Sequence, residues 1–474
     1  MPSLLINNFS GGIASGSKIG LSGSFRFASG CDIFSDPDVL KISPASTKNS
    51  GSVIVDLPMF GVTNTVNSNL YFLGNTGKIY KKASNTYSVI TIKTTAQGMG
   101  FFSGTNLVVI CSGNTEFKLD PSTDGITTGR ALNSADYHPV ECFLDKVFIG
   151  NGREIISTDG SGIDYDSTTV GGGITLEFGY KSKVLKNIGD WLFIGCSSDN
   201  SSNAKYYLWD GVSEDYNYSK TLKGEDGINS VEVSDDGSVI ISAGKQGHIY
   251  QLTGLDTTLR NIKTIPRIEK DKTIEVYPGA MSNYQGRVLL GLSNGTSETV
   301  ERGVYSWASK DENYPKTLNM DYAISTETTT GTTLQVGMVL SANTTDLYVG
   351  WKDGSVYGID VINGTGVQGS ALYESMIHDD GQPFRRKKYD QWKITLGKAL
   401  ASGEVIEAFY KKDRGSWVPL GTLDYSTAGA ILEKSFKTIV KARELEFKME
   451  ITNSGSTAPE IDSVLINFDY EQVI

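Results

Sequence analysis

Seven times along this chain a short apolar run closes on a glycine, and a second strand-like run follows it. The fullest copy spans residues 230–254, SVEVSDDGSVIISAGKQGHIYQLTG. Its first strand stops at Asp235-Asp236-Gly237, a hairpin-turn sequence. The apolar run Val239, Ile240, Ile241 then stops at Ala243-Gly244, ahead of a third strand from His248 to Leu252. The other copies lie at 70–74, 107–113, 147–150, 191–195, 288–291 and 347–350. Three strands in so short a span cannot bury both faces alone, and copies recurring roughly every 40 to 55 residues have the spacing of propeller blades.

The glycine has a steric reading: a buried strand that bends into a tight connection near a crowded axis has no room for a side chain. In the strand that follows, Tyr80, Phe117, Ile155, Tyr207, Tyr250, Tyr305 and Tyr357 are placed to pack between adjacent sheets. Glycine is abundant at 53 residues, proline scarce at 12, and β-branched and aromatic residues fill the apolar runs, all of which favours sheet. The best helical periodicity, 431–442, is short. At 474 residues the chain exceeds one ordinary core. The expected fold is all-β, a β-propeller of about seven blades followed by a C-terminal β-sandwich or jelly roll.

The expected boundaries are 1–58 for an N-terminal arm with closing strands, 59–367 for the propeller and 368–474 for the sandwich. A closed propeller hides its edges, and residues 39–42 or 53–55 are candidates to pair with the last blade. Polar inserts at 197–204, 210–223 and 309–321 read as surface loops open to partners. Beyond residue 368 the pattern becomes strict alternation: Trp392, Ile394 and Leu396; Leu445, Phe447, Met449 and Ile451; Val464, Ile466, Phe468 and Tyr470. Half-buried antiparallel strands alternate in this way.

Two phrases carry a family resemblance. INNFSGGIASG at 6–16, with FRFASGCDIFSDPDVLKISPAS at 25–46, resembles the opening of tailed-bacteriophage tail proteins of the propeller-bearing nozzle and hub type. FRRKKYDQWKIT at 384–395 and RELEFKMEITNSGSTAPEIDSVLINFDY at 443–470 resemble the C-terminal sandwich of phage tail and virion proteins. The resemblance implies a structural virion component, synthesised in the host cytoplasm, that forms a homo-oligomer and contacts other tail proteins during virus assembly. In a nozzle, phage DNA would pass without specific binding.

The net charge of -11 argues against a general grip on nucleic acid through phosphates. It would instead keep an assembly component soluble and let DNA slide. Cys31, Cys111, Cys142 and Cys196 are widely spaced without a CxxC and read as free thiols. The N-terminus shows no signal-peptide pattern, and no apolar run approaches a membrane span.

No catalytic, cofactor or metal residues are assigned. His138, His248 and His378 fall in different units, with no HExxH or Cys/His cluster. The acidic stretch 159–166, with Asp159, Asp164 and Asp166, has oxygen ligands for calcium but lacks the EF-hand order, and reads as a turn. Ser234-Asp235-Asp236-Gly237 resembles the structural Asp-box turn of sialidase propellers. Arg385-Arg386-Lys387-Lys388 is the dense basic run, read as a solvated strand edge guarded by charge. The functional expectation is a non-enzymatic tail protein. The alternatives are a propeller glycoside hydrolase or depolymerase acting on host polysaccharide, which needs paired carboxylates beside aromatic platforms, and a cellular ligand-binding scaffold.

Overall fold

The computed structural model describes residues 2–14, 16, 18, 20–133, 137–159, 162–199, 203–253, 258–265, 273–294, 303–325, 334–428, 432–453 and 456–471. Among these residues nearly every element is a strand, and the one α-helix is the single turn Tyr425–Ala428. The chain divides into two compact units. One holds residues 47–303 and 324–361, the other 1–46, 304–323 and 362–474.

The first unit is a propeller of antiparallel meanders. The apolar runs of the sequence are its second strands: Leu70–Gly74, Leu107–Ser112, Lys146–Asn151, Leu192–Ser198, Val239–Ala243, Arg287–Asn294 and Leu347–Asp353. They are continuous rather than alternating because neighbouring blades cover both faces, as the unbroken burial of Leu70–Gly74 and Val239–Ala243 shows. The first strands are Pro58–Thr63, Ala96–Phe102, Val140–Phe143, Tyr180–Asn187, Ile228–Val233, Met281–Tyr284 and Gln335–Ser341. Each touches the next, and the last touches the first, so seven blades close a ring.

Closure uses a strand other than either candidate. Thr47–Lys48 pairs with Asp360 and Val361 as the outer strand of the seventh blade. Asn49 N–H still donates to the Ile359 carbonyl, and pairing stops there because the Ser50 hydroxyl rather than a backbone carbonyl takes the Ile359 N–H. Residues 53–55 form no strand, and Lys41–Ile42 pairs with Cys31–Asp32 in the other unit. The propeller therefore begins at 47 rather than 59, and it ends at 361 rather than 367.

The repeat glycine also serves a different purpose from a bend. A Cβ on Gly195 would lie 2.8 Å from Ile228 Cγ2, one on Gly291 2.4 Å from Val336 Cγ1, and one on Gly350 2.7 Å from Pro58 Cβ. Each of these partners belongs to the first strand of the next blade, so the glycine sets how closely blades approach. At the seam where the ring closes, a Cβ on Gly337 would sit 2.3 Å from the Pro58 carbonyl oxygen. Backbone cannot step aside there, so Gly337→Ala is expected to cost about 2–3 kcal/mol, read as a lowered urea midpoint. Gly369→Ala, where a Cβ meets nothing within 4 Å, should change stability by less than about 0.5 kcal/mol. Equal effects would show that the seam tolerates a side chain.

The residues assigned to inter-blade packing do fill those spaces. Tyr80 and Tyr357 pack with Tyr348 and Ile359 between the first and seventh blades. Ile155 and Tyr207 join the cluster between the third and fourth, and Tyr250 the one between the fourth and fifth. Tyr305 is the exception, because residues 304–323 group with the other unit. Two of the polar inserts also hold strands: 210–223 contains Tyr218–Lys223, and 309–321 runs into Thr317–Tyr322. The insert 197–204 lies partly outside the described residues.

The second unit is a β-sandwich that takes in the N-terminal residues, so 1–58 is not a separate arm. In one sheet Ile461–Tyr470 lies between Ser3–Ile6 and Lys387–Leu396, and the latter also pairs with Glu433–Phe436 and Val440–Ala442. The stretch with the best helical periodicity is strand at 433–436 and 440–442, in keeping with the all-β reading. In the other sheet Ser24–Ser29, Ser370–Ser375, Leu445–Thr452, Val405–Lys412 and Val418–Asp424 follow in order. Alternation puts Trp392, Ile394, Phe447, Met449, Val464 and Ile466 inside. A bulge between Tyr389 and Gln391 lets Tyr389 and Trp392, three apart, both point inward. Trp392 meets Tyr410 of the facing sheet at 5.7 Å between ring centroids.

Candidate functional site

Polar side chains on the propeller's first strands pin each blade to a neighbouring one. Ser230 Oγ donates to the Pro278 carbonyl (2.9 Å), Asn283 Nδ2 to the Val233 carbonyl (3.0 Å) and Ser182 Oγ to the Gly152 carbonyl (3.1 Å). On three successive first strands, Glu141, Lys186 and Glu232 form an ionic row. Lys186 Nζ lies 2.8 Å from Glu232 Oε2. Burial, with the Glu232 charge adding to it, pushes the Glu141 carboxyl up to about 7 against the pull of Lys186. Burial opposes the Lys186 ammonium, but the two carboxylates outweigh it and hold Lys186 above its ordinary value.

A second set of carboxylates stands just ahead of a first strand and latches the outer part of its own blade. Asp56 accepts from the Tyr80 hydroxyl (2.5 Å), the Thr76 hydroxyl (2.5 Å) and Thr76 N–H (3.1 Å). Glu225 takes the Tyr250 hydroxyl and His248 Nδ1–H, both at 2.6 Å. Glu177 takes the Tyr216 hydroxyl at 2.7 Å and pairs with Lys205 at 2.5 Å. The Glu177 bond, then burial, pushes Tyr216 up to about 12. Two repeat glycines make room for these acids: a Cβ on Gly74 would lie 2.1 Å from Asp56 Oδ1, and one on Gly244 1.8 Å from Glu225 Oε2. The motif was missed in the sequence, although its signal is present there as an acid followed about 25 residues later by a third-strand tyrosine (intervals of 24 and 25).

The residues singled out from sequence do not come together. His138 is buried with Nδ1 2.8 Å from the Gly150 carbonyl, His248 is part of the Glu225 latch, and His378 packs on Phe468 with its pKa lowered by burial. Asp159 accepts from Ile163 N–H and the Tyr165 hydroxyl, while Asp164 faces Lys118 and Thr158; residues 160 and 161 lie outside the described set. Among the described residues no group of three or more His, Cys, Asp or Glu is arranged to hold a metal ion. Asp236 closes its turn on Ser238 N–H and Oγ. All four cysteines are free; Cys31, Cys111 and Cys196 are buried, and burial pushes the Cys142 thiol up to about 12.

The basic run is not a solvated edge. Lys387–Leu396 is an inner strand of its sheet, and Lys387 is fully buried, donating to the carbonyls of Gln382, Arg385 and Arg443 at 3.1, 3.2 and 3.1 Å. Arg385 lies 4.0 Å over the Tyr470 ring, and Lys388 pairs with Asp390 at 3.5 Å. Beside them is an open depression of about 510 Å³ whose lining includes Phe384, Asp413, Glu444 and three arginines. Bonds from Lys18 and Arg414 hold the Glu444 carboxyl below its ordinary value, so it is not poised as the general acid a glycosidase needs.

No protein-family model matches the chain, and no curated protein matches it. Solved structures similar to it include the hydrazine synthase of Kuenenia stuttgartiensis (11% identity, TM-score 0.49, covering 66% of this chain and 98% of that one). The β-propeller domain of Cps50 (Swd1) from Myceliophteria thermophila is similar at 9% identity and TM-score 0.47, covering 66% and 99%. The extracellular domain of the system BT4673 from B. thetaiotaomicron is similar at 10% and 0.46, covering 76% of this chain; the chain spans 45% of that one. At such identities and TM-scores these likenesses say nothing of function, and the all-β propeller rests on this chain's own strand pairing.

Proposed function

We propose that this chain is a structural component of a tailed-phage tail, of the nozzle or hub type, acting through contacts between subunits. The observation that carries the reading is the division of labour among side chains in the propeller. Asp56, Glu177, Glu225 and His248 are consumed as internal latches, while apolar side chains such as Leu144 and Val212 are displayed on turns and inserts. Leu144 is the clearest case. It stands 54% exposed at the tip of the hairpin joining Val140–Phe143 to Lys146–Asn151, with φ +46, where a Gly or Asn would relieve the strain. Val212 is 61% exposed beside it, since Gly211 approaches the Leu144 side chain. The phage-like phrases at both ends of the chain supply the identity of the assembly.

The test is the mass of the purified chain by light scattering, alone and mixed with the other tail proteins of the same virion. A symmetric oligomer or co-assembly is expected, and Leu144→Asp should abolish it while leaving the melting temperature within about 2 °C. A wild-type chain that stays monomeric in every mixture would end the proposal.

A further inference from the structure

The depression in the sandwich unit has no part in that assembly reading, and its construction is that of a binding site. Its walls are fixed in advance. The three bonds of the Lys387 ammonium tie the loop carrying Phe384 to the turn at Arg443. The Asp413 carboxylate takes the N–H groups of Arg443 and Glu444 at 2.8 and 3.0 Å, tying the neighbouring hairpin tip to the same turn. Asp413 and Arg414 hold φ of +49 and +61, a strained pair that these bonds keep in place.

Three kinds of group are left facing solvent on these walls. Phe384 is 91% exposed and offers a bare apolar face. Arg443 is exposed, and its guanidinium has no partner among the described residues; the Arg386 guanidinium reaches Glu471 only at 3.6 Å, beyond a hydrogen bond. Asp413 and Glu444 keep acceptor capacity, since a carboxylate offers about four lone-pair sites.

Donors, acceptors and one bare aromatic face together match a saccharide, whose C–H face stacks on the ring while its hydroxyls bond to guanidinium and carboxylate. The unpartnered Arg443 guanidinium, with Arg386 only loosely paired to Glu471, favours a sugar that carries its own carboxylate, which a guanidinium holds through two parallel bonds. A nucleic-acid strand would bring its phosphates against Asp413 and Glu444, and an acidic peptide would leave both the acceptors and the aromatic face without a role. We propose that this depression binds an acidic oligosaccharide, with a uronate carboxylate on Arg443 and Arg386 and a sugar ring on Phe384. The ionised Glu444 makes it a site of binding rather than cleavage.

Calorimetric titration of the full chain with trigalacturonate tests this directly. Saturable binding is expected, weakened at least about tenfold when the trimer is methyl-esterified and by a similar factor in Phe384→Ala and in Arg443→Ala. Both side chains are exposed, so both variants should melt with the wild type. Lack of saturable binding at millimolar trimer, equal affinity for the methyl ester or for triglutamate, or wild-type affinity in either variant would each overturn the proposal. None of these results depends on whether the chain assembles with tail proteins.

Discussion

Replacing Glu116 with alanine is expected to destabilise the propeller by about 3–5 kcal/mol, measured by urea unfolding. Glu116 is fully buried on the third strand of the second blade, and its Oε2 lies 2.9 Å from Arg130 Nε on the fourth. Arg130 then crosses to the third blade, where Nη1 donates to the Tyr165 carbonyl at 3.0 Å and Nη2 to the Ser157 carbonyl at 2.8 Å. Thr158 Oγ1 returns the contact to Glu116 Oε1 at 3.2 Å. The pair thus staples two blades, and removing the carboxylate leaves Arg130 and Lys118, whose Nζ lies 3.8 Å from Glu116 Oε1, with only Asp164 among the described residues to balance them. The size of the loss comes from that unbalanced charge rather than from the net worth of the bond. Glu116→Leu combined with Arg130→Met should therefore cost clearly less than the sum of the single substitutions, because both charges leave together. A single substitution costing under about 1 kcal/mol would show that water reaches the guanidinium and that the staple is dispensable.

The propeller was legible in the sequence because its signal is local. An apolar run, a turn and a second strand sit within one blade, and seven copies repeat it. The sandwich was legible for the same reason, through alternation in Trp392–Leu396 and Leu445–Ile451. What could not be read were the partners of short strands paired across hundreds of residues. Ser3–Ile6 lies against Val464–Asn467, and Ser24–Ser29 against Leu372–Ser375, so the presumed N-terminal arm is part of the sandwich. The closing strand Thr47–Lys48 is two polar residues with no pattern to announce it. The basic run misled for a related reason. Lys387 is buried only because two carbonyls of its own loop and one from the distant turn at Arg443 converge on its ammonium, and no charge pattern within 385–388 records that convergence. The latches of Asp56 and Glu225 were hidden in a different way, since an acid before a strand and a tyrosine after it become a pair only when the blade is folded. Their glycines, Gly74 and Gly244, were visible, but the reason for them was outside the strand that carries them.

Glu141→Gln is expected to leave stability nearly unchanged at pH 4 and to raise it by up to about 3 kcal/mol at pH 8. The sign follows from the raised carboxyl. With a folded value of about 7 against an ordinary 4.5, the folded chain binds this proton more tightly than the unfolded chain does. The stabilisation is complete below the ordinary value and is lost as pH rises through 7. Glutamine keeps the shape of the neutral acid and never ionises, so the difference between the two proteins isolates this one group from every other titration. The cost falls on the seam where the first strands of the third, fourth and fifth blades meet, since Lys186 already bonds to Glu232 and one ammonium cannot fully compensate two carboxylates. Lys186→Met should therefore widen the gap between wild type and Glu141→Gln at pH 8, because it removes the cation that favours the ionised acid. If the gap between Glu141 and its glutamine variant is the same at pH 4 and pH 8, the carboxyl does not titrate across this range and the seam holds no buried proton. If the gap opens as described, the ring is loosened at one identifiable point as the pH passes neutrality, while the apolar seams at Gly291 and Gly350 hold the other blades unchanged.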